Sequence, residues 1–355
     1  MRIVITGASG NVGSALLRRL ASSGEHDLVG VSRRPPEEAT PFDAAAWHPL
    51  DLTRDDCTGP LTELVDGADA VVHLAWGFQP SHDEDHLREL GVGGTRRVLA
   101  AVAAAGVPHL VHMSSIGAYS PRRDDHPVAE DWPTGGVPTS MYSRHKSAAE
   151  RLLDDFEHAQ PDVTVARMRP GIIGQRDAGS SLLRYGLPGL VPSSVLRHVP
   201  VLPLDRRLRL PMIHADDVAD AFARVLQQRA GGAFNLAAPP LITVADLGSA
   251  LGARPVHVPS GVLRAAVLAT WRARLQPVDP GWVDLAYAAP LLATDRAEAE
   301  LGWRPGRDTP EVLDDLVAGL LTSDSAPTPV LRPRSVPDNV RRAVTEGPVH
   351  RRAMP

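Results

Sequence analysis

Short apolar runs alternate with stretches of helical periodicity through the first two-thirds of the chain. Ile3–Ile5, Leu28–Val31, Ala70–Leu74, Leu110–Met113 and Val163–Met168 read as strands. Ala70–Leu74 is continuous and rich in valine, as expected of a strand covered on both faces. Between them, Val12–Leu20, Thr95–Ala105 and Ser147–His158 carry apolar residues at helical spacing, and Gly106 with Pro108 closes the second of these helices. Strands alternating with helices predict an α/β fold built on a doubly wound parallel sheet. Beyond Pro170 the pattern changes. Leu182–Pro211 lacks clean periodicity, then a helix (Ala215–Gln228), a strand (Ala233–Leu236) and a short helix (Val244–Leu251) follow. The expected division is a sheet domain of residues 1–170 with about 212–237, and a smaller lobe of 171–211 and 238–320. From about Thr322 the sequence is rich in Pro, Ser and Arg, which predicts a disordered tail over 322–355.

Composition narrows the function classes. The 355 residues are 43% apolar and 22% charged, as in ordinary globular proteins. A formal charge of −5 gives no footprint for nucleic acid or an anionic membrane, so a small-molecule substrate is expected. No run approaches the ~18 apolar residues of a spanning helix. The N-terminus reads directly as a strand without a signal peptide, and Cys57 is the only cysteine; both point to the cytoplasm.

Three clusters carry chemistry. Thr6-Gly7-Ala8-Ser9-Gly10-Asn11-Val12-Gly13 follows the first strand and opens the first helix. A glycine-rich turn there brings backbone amides to a pyrophosphate, at the positive end of the helix dipole. About twenty residues on, an NAD site carries an acid for the ribose hydroxyls; this chain has Ser32-Arg33-Arg34 instead. Arginine matches a 2′-phosphate, so NADP is the expected cofactor, with NAD possible. Tyr142 and Lys146 stand one helical turn apart, and an ammonium there is expected to lower the phenol's pKa. Ser115 ends a parallel strand, at the sheet edge where ligands bind in such folds. Ser81-His82-Asp83-Glu84-Asp85-His86 has two histidines at metal-ligand spacing but shows no third ligand, and reads as a solvated acidic face.

Taken in order, these segments resemble the extended short-chain dehydrogenase/reductases, the NAD-dependent epimerase/dehydratase family. Also matching are Asp51-Leu52, His73-Leu74-Ala75, Ser114 through Tyr119, Arg169-Pro170-Gly171, Ile213 through Ala219, Phe234-Asn235-Leu236 and Leu301 through Pro305, so the likeness spans about residues 1–320. It implies a Rossmann domain with a smaller C-terminal substrate lobe, and hydride transfer catalysed by Ser115, Tyr142 and Lys146. It places Gly7, Ser9, Gly10, Asn11, Val12, Gly13, Ser32, Arg33, Arg34, Asp51, Leu52, Leu74, Ala75, Trp76, Ser114, Arg169, Pro170 and Gly171 around the cofactor, with Tyr142 and Lys146. Trp76, Ser115, Ile116, Tyr119 and Ile172 are then the candidate substrate contacts. Pairing into a homodimer through the Tyr-x-x-x-Lys helix and the one before it is a further implication.

Departures from the family pattern bear on the substrate. Nucleotide-sugar dehydratases place Thr-Asp-Glu where this chain has Ser115-Ile116-Gly117, which offers no acid or base for removing water. The arginine that pairs with a substrate diphosphate is replaced by Leu210, with Arg209 one residue out of register, and the helix asparagine of the family is Gly91. The favoured reading is an NAD(P)-dependent oxidoreductase at a secondary alcohol or carbonyl. The alternatives are a sugar or nucleotide-sugar epimerase with transient oxidation, and a non-catalytic dinucleotide sensor.

Overall fold

The computed structural model describes residues 1–77, 82–186, 193–276 and 278–333. Seven strands form one sheet: β1 (Arg2–Thr6), β2 (Asp27–Ser32), β3 (Ala46–Pro49), β4 (Ala70–His73), β5 (His109–Met113), β6 (Thr164–Pro170) and β7 (Gly232–Leu236). Their spatial order is β7-β6-β5-β4-β1-β2-β3, and every neighbouring pair is parallel. Winding reverses between β1 and β4, which opens a crevice at the carboxyl ends of those two strands. This is the doubly wound Rossmann arrangement. The periodicity had not marked β3, a four-residue edge strand that is mostly exposed and ends in proline.

Alternation along β1 sends Ile3 and Ile5 to one face and Val4 to the other. The first face packs under α1 (Asn11–Ala21) and α5 (Ala215–Gln228), in a core that includes Leu16, Leu17, Phe222 and Val225. The second is covered by α2 (Thr58–Val65), α3 (Gly94–Ala105) and α4 (Met141–Ala159), through Leu61, Val98, Val102 and Leu153.

A smaller unit sits at the carboxyl edge. Ile172–Gly174, Arg209–His214 and Ala238–Thr243 make a three-stranded sheet, and α8 (Thr309–Thr322) packs on it through Val312, Leu313 and Val317. Two further helices, α6 (Ser260–Arg272) and α7 (Gly281–Ala288), lie between these elements in sequence. The chain stays packed past Thr322: the Ala326 amide donates to the Leu331 carbonyl (3.0 Å), and Leu331 is buried. The disorder expected for the tail concerns, from residue 334 onward, positions outside the described residues. No helix among the described residues is long and apolar enough to cross a membrane.

Trp303 ties the C-terminal segment to the sheet domain. It is fully buried, and its Nε1 donates to the Asp217 carbonyl at 2.9 Å. The Asp217 carboxylate in turn accepts from the Gly306 amide at 2.8 Å. Trp303→Ala is expected to lower unfolding free energy by about 3–5 kcal/mol in a denaturant titration, from the cavity and the orphaned carbonyl together.

Candidate active site

The glycine turn lies at the mouth of the crevice. Gly7 has φ +75°, and a Cβ there would stand 2.6 Å from the Ala75 amide nitrogen, so only glycine lets the strand β1 and β4 loops meet. Gly10 caps α1 without a side-chain hydrogen bond, which leaves the first-turn amides of the helix unclaimed by any capping side chain. Asn11 Oδ1 is buried and lacks a hydrogen-bond partner among the described residues. A polyanionic ligand carrying hydroxyl donors fits this arrangement: amides face its charge, and an orphaned acceptor meets its donor. Gln175, which the sequence had not marked, braces the turn. Its Nε2 donates to the Asn11 carbonyl at 2.9 Å, and Arg18 holds its Oε1 at 3.1 Å.

At the adenosine end, Ser32 Oγ donates to the Arg34 carbonyl at 2.9 Å. Asp51 accepts from both the amide (3.0 Å) and hydroxyl (2.7 Å) of Thr53. Burial raises the Asp51 pKa, but the Thr53 donors and the charge of Arg33 outweigh it and hold the carboxyl below its ordinary value. Arg33 is half-buried and Arg34 exposed, so both flank the end of β2. Leu52 is buried in the core, whereas Leu74 and Ala75 are half-buried, with the Leu74 amide donating to Thr6 at 2.9 Å.

Ser115, Tyr142 and Lys146 come together at the ends of β5 and α4. The Ser140 side chain caps α4 by accepting from the Ser143 amide, so the helix starts at Met141, one residue before the tyrosine. Ser115 Oγ accepts from the Gly117 amide at 3.0 Å and is hydrogen-bonded to Tyr142. Lys146 is almost wholly buried, and its Nζ donates to the Met113 carbonyl at 2.8 Å. The same Nζ lies 3.6 Å from the centroid of the Trp76 ring, a cation–π contact. Tyr142 packs near two indoles: Trp76 in a T-shaped arrangement at 6.4 Å, and Trp282 of α7 at 5.0 Å.

Protonation here runs against the expectation of an acidified tyrosine. Burial pushes Tyr142 up to about 12, only partly offset by its bond to Ser115. Burial likewise pushes Lys146 down to about 7, against the raising influence of Glu150. The lysine charge is therefore weakened by the same dry surroundings that keep the phenol protonated.

Behind the pair lies a buried ionic network. Glu150, fully buried, takes Arg169 through two parallel bonds of 2.9 Å and Arg167 through another of 2.9 Å, and accepts from Ser114 Oγ. Arg169 also donates to Tyr119 Oη (3.0 Å) and the Glu130 carbonyl (2.8 Å), and Tyr119 donates to Asn235 at 2.7 Å. Ser114, Arg169 and Tyr119 thus each hold hydrogen bonds within this network. Ile116 is buried beside Tyr119, Pro170 is buried in β6, and the Gly171 amide donates to Leu236. Ile172, 41% exposed, is the substrate candidate most open to solvent. In the acidic cluster, Asp83 caps a short helix by accepting from the His86 amide, and the His82 ring stacks on Trp271 at 4.6 Å.

Residues 3–237 match the family described as NAD dependent epimerase/dehydratase, and the chain belongs to that family. An uncharacterised Mycobacterium tuberculosis protein is 28% identical over 89% of this chain, which spans only 29% of that protein's length. The UDP-glucose 4-epimerase of Mycolicibacterium smegmatis is 27% identical, over 86% of this chain and 94% of its own. Among solved structures, a Thermotoga maritima UDP-glucose 4-epimerase with UDP-glucose has a TM-score of 0.69 at 18% identity, covering 91% of this chain and 99% of that one.

Arg169 and its neighbours hold the Glu150 carboxyl below its ordinary value despite burial, which alone would raise it. A carboxyl whose folded pKa is depressed contributes stability that is complete above its unfolded value, about 4.3, and is lost as pH falls through the folded one. Glu150→Gln should cost about 3–5 kcal/mol at pH 7, by leaving the buried Arg169 without a carboxylate partner, while Arg167 keeps Asp154 and Glu157. Chemical denaturation at stepped pH should show that difference shrinking below about pH 4.

Proposed function

We propose that this chain is an NAD(P)-dependent oxidoreductase that interconverts a secondary alcohol and a carbonyl in a small-molecule substrate. One observation carries the reading. Of the 37 lysines and arginines in the sequence, Lys146 is the only lysine, and it is buried one turn from a tyrosine bonded to Ser115. Arginine serves every other cationic position, so an amine is kept where an always-charged guanidinium cannot substitute.

The dinucleotide fits the glycine turn, where Gly7, Gly10 and the first-turn amides of α1 would hold its pyrophosphate. When bound, its nicotinamide supplies or accepts the hydride. In reduction, Tyr142 donates its phenolic proton to the carbonyl oxygen, and Ser115 donates a hydrogen bond to the same atom. Lys146 stabilises the phenolate left behind. In oxidation the proton returns to Tyr142. A phenol held near 12 carries its proton at neutral pH and can hand it to a carbonyl oxygen. Arg33 and Ser32 at the end of β2 support NADP, because a guanidinium and a hydroxyl are groups with which a 2′-phosphate pairs. Association through α3 and α4 would make a homodimer, which sedimentation velocity would detect.

Diphosphate recognition has little support here. The Arg209 guanidinium donates to the carbonyls of Arg206 (3.0 Å) and Leu208 (2.8 Å), and Leu210 packs on the lobe core. Epimerisation remains the second reading, because the mycobacterial UDP-glucose 4-epimerase aligns over nearly its whole length. Cofactor retained through purification, with no net NADPH consumption, would favour it.

Tyr142→Phe should reduce NADPH-dependent turnover over a panel of ketones and aldehydes by at least ~100-fold. Near-wild-type turnover would sink the mechanism. In calorimetric titrations, wild type should prefer NADPH over NADH, and Arg33→Ala should lose that preference; equal binding by the wild type would remove the 2′-phosphate reading.

A further inference from the structure

Gly91 lies in a single π-helical turn, Glu89–Gly93, just before α3. Such turns displace one residue from the helical register and often accompany function. A Cβ on Gly91 would come within 3.0 Å of both Trp76 Cη2 and Cζ2. The bare position therefore makes room for the indole, whose face meets the Lys146 ammonium and whose ring stands nearly perpendicular to that of Tyr142.

The seat is held rigidly from below. Thr95 Oγ1 donates to the Gly91 carbonyl at 2.7 Å, so it must accept from His73 Nε2 at 3.1 Å. His73 Nδ1 is then the acceptor for Thr6 Oγ1 at 2.6 Å. This chain of neutral bonds links the glycine turn, β4 and the π-turn beneath Trp76.

The groups facing Lys146 give its charge few other supports. From β5 come the Met113 carbonyl and His112; from β4 comes His73; from α4 itself come Tyr142 and Glu150. Burial holds His73 down to about 3 and His112 well below its ordinary value, so both are neutral. Glu150 acts at a distance, with its oxygens occupied by Arg167, Arg169 and Ser114. The Met113 carbonyl and the Trp76 ring are the immediate partners.

We propose that Trp76 is a positioning residue whose indole face holds the Lys146 ammonium beside Tyr142, and that Gly91 is left without a side chain to seat that ring. The proposal rests on reading Tyr142 and Lys146 as the reacting pair, but its test does not depend on turnover. Because the chain has one lysine, the full-length protein labelled with [13Cε]lysine yields a single side-chain resonance, and its titration reads Lys146 directly.

In the wild type the ε-protons should be displaced upfield by the indole ring current. Trp76→Leu should abolish that displacement and lower the measured Lys146 pKa by about one unit, since a cation–π contact favours the charged form. Trp76→Phe should fall between the two. Gly91→Val keeps the tryptophan but crowds its ring, and should shift the resonance and titration in the same direction as Trp76→Leu. Circular dichroism identifies any variant that fails to fold, and the folded ones decide. A Lys146 that titrates at or above the wild-type value in the folded Trp76 and Gly91 variants overturns the proposal. Failure of the catalytic reading looks different: Tyr142→Phe would retain turnover while the Lys146 resonance still followed Trp76.

Discussion

The double hydrogen bond between Glu150 and Arg169 joins the helix that carries Tyr142 and Lys146 to the strand behind it. Tyr142, Lys146 and Glu150 are spaced by four, so they share a face of α4. Locking the last of the three to β6 sets the rotation of the helix and therefore where the first two project. Arg169 extends the same constraint to Tyr119 and the Glu130 carbonyl, and Tyr119 passes it to Asn235 on β7. A buried pair of this kind gains little net stability against its desolvation cost. Its value here is in geometry: helix, two strands and a loop are held in one relation at the base of the site.

The two buried histidines beside the lysine are kept neutral. His73 and His112 lie 5.2 Å apart as ring centroids, and neither carries a proton charge at neutral pH. Had either been cationic, it would have repelled the ammonium and further depressed it. The nearest anion is already balanced by two arginines. The surroundings thus leave the Lys146 charge supported by the more distant Glu150, one carbonyl and one aromatic face, and leave the tyrosine protonated.

How much of this was legible in the sequence depended on how local each cause was. Strands β1, β4 and β5 were readable because both of their faces are buried and their runs are continuous; β3 was not, because an exposed edge of four residues has no apolar signature. The glycine turn and the Tyr142–Lys146 spacing were readable because local geometry fixes both. The Glu150 network had a signal that was not used: a glutamate four residues after the lysine, facing Arg167 and Arg169 at alternate positions of one strand. Without it, the bonds that tie Ser114, Arg169 and Tyr119 to that network went unanticipated. Trp282 and Gln175 had no local signal, since tertiary docking alone brings them to the site. The direction of the Tyr142 pKa likewise depended on burial, which spacing does not report.

Lys146 being both solitary and enclosed has a consequence beyond the reaction. Reagents or enzymes that acylate, glycate or form isopeptide bonds with an ε-amine find no such group on the surface of the folded protein. Any covalent tagging at that atom would require the pocket to open or the chain to unfold. The rate of ε-amine labelling is then a clock for those excursions, with one residue as its only hand.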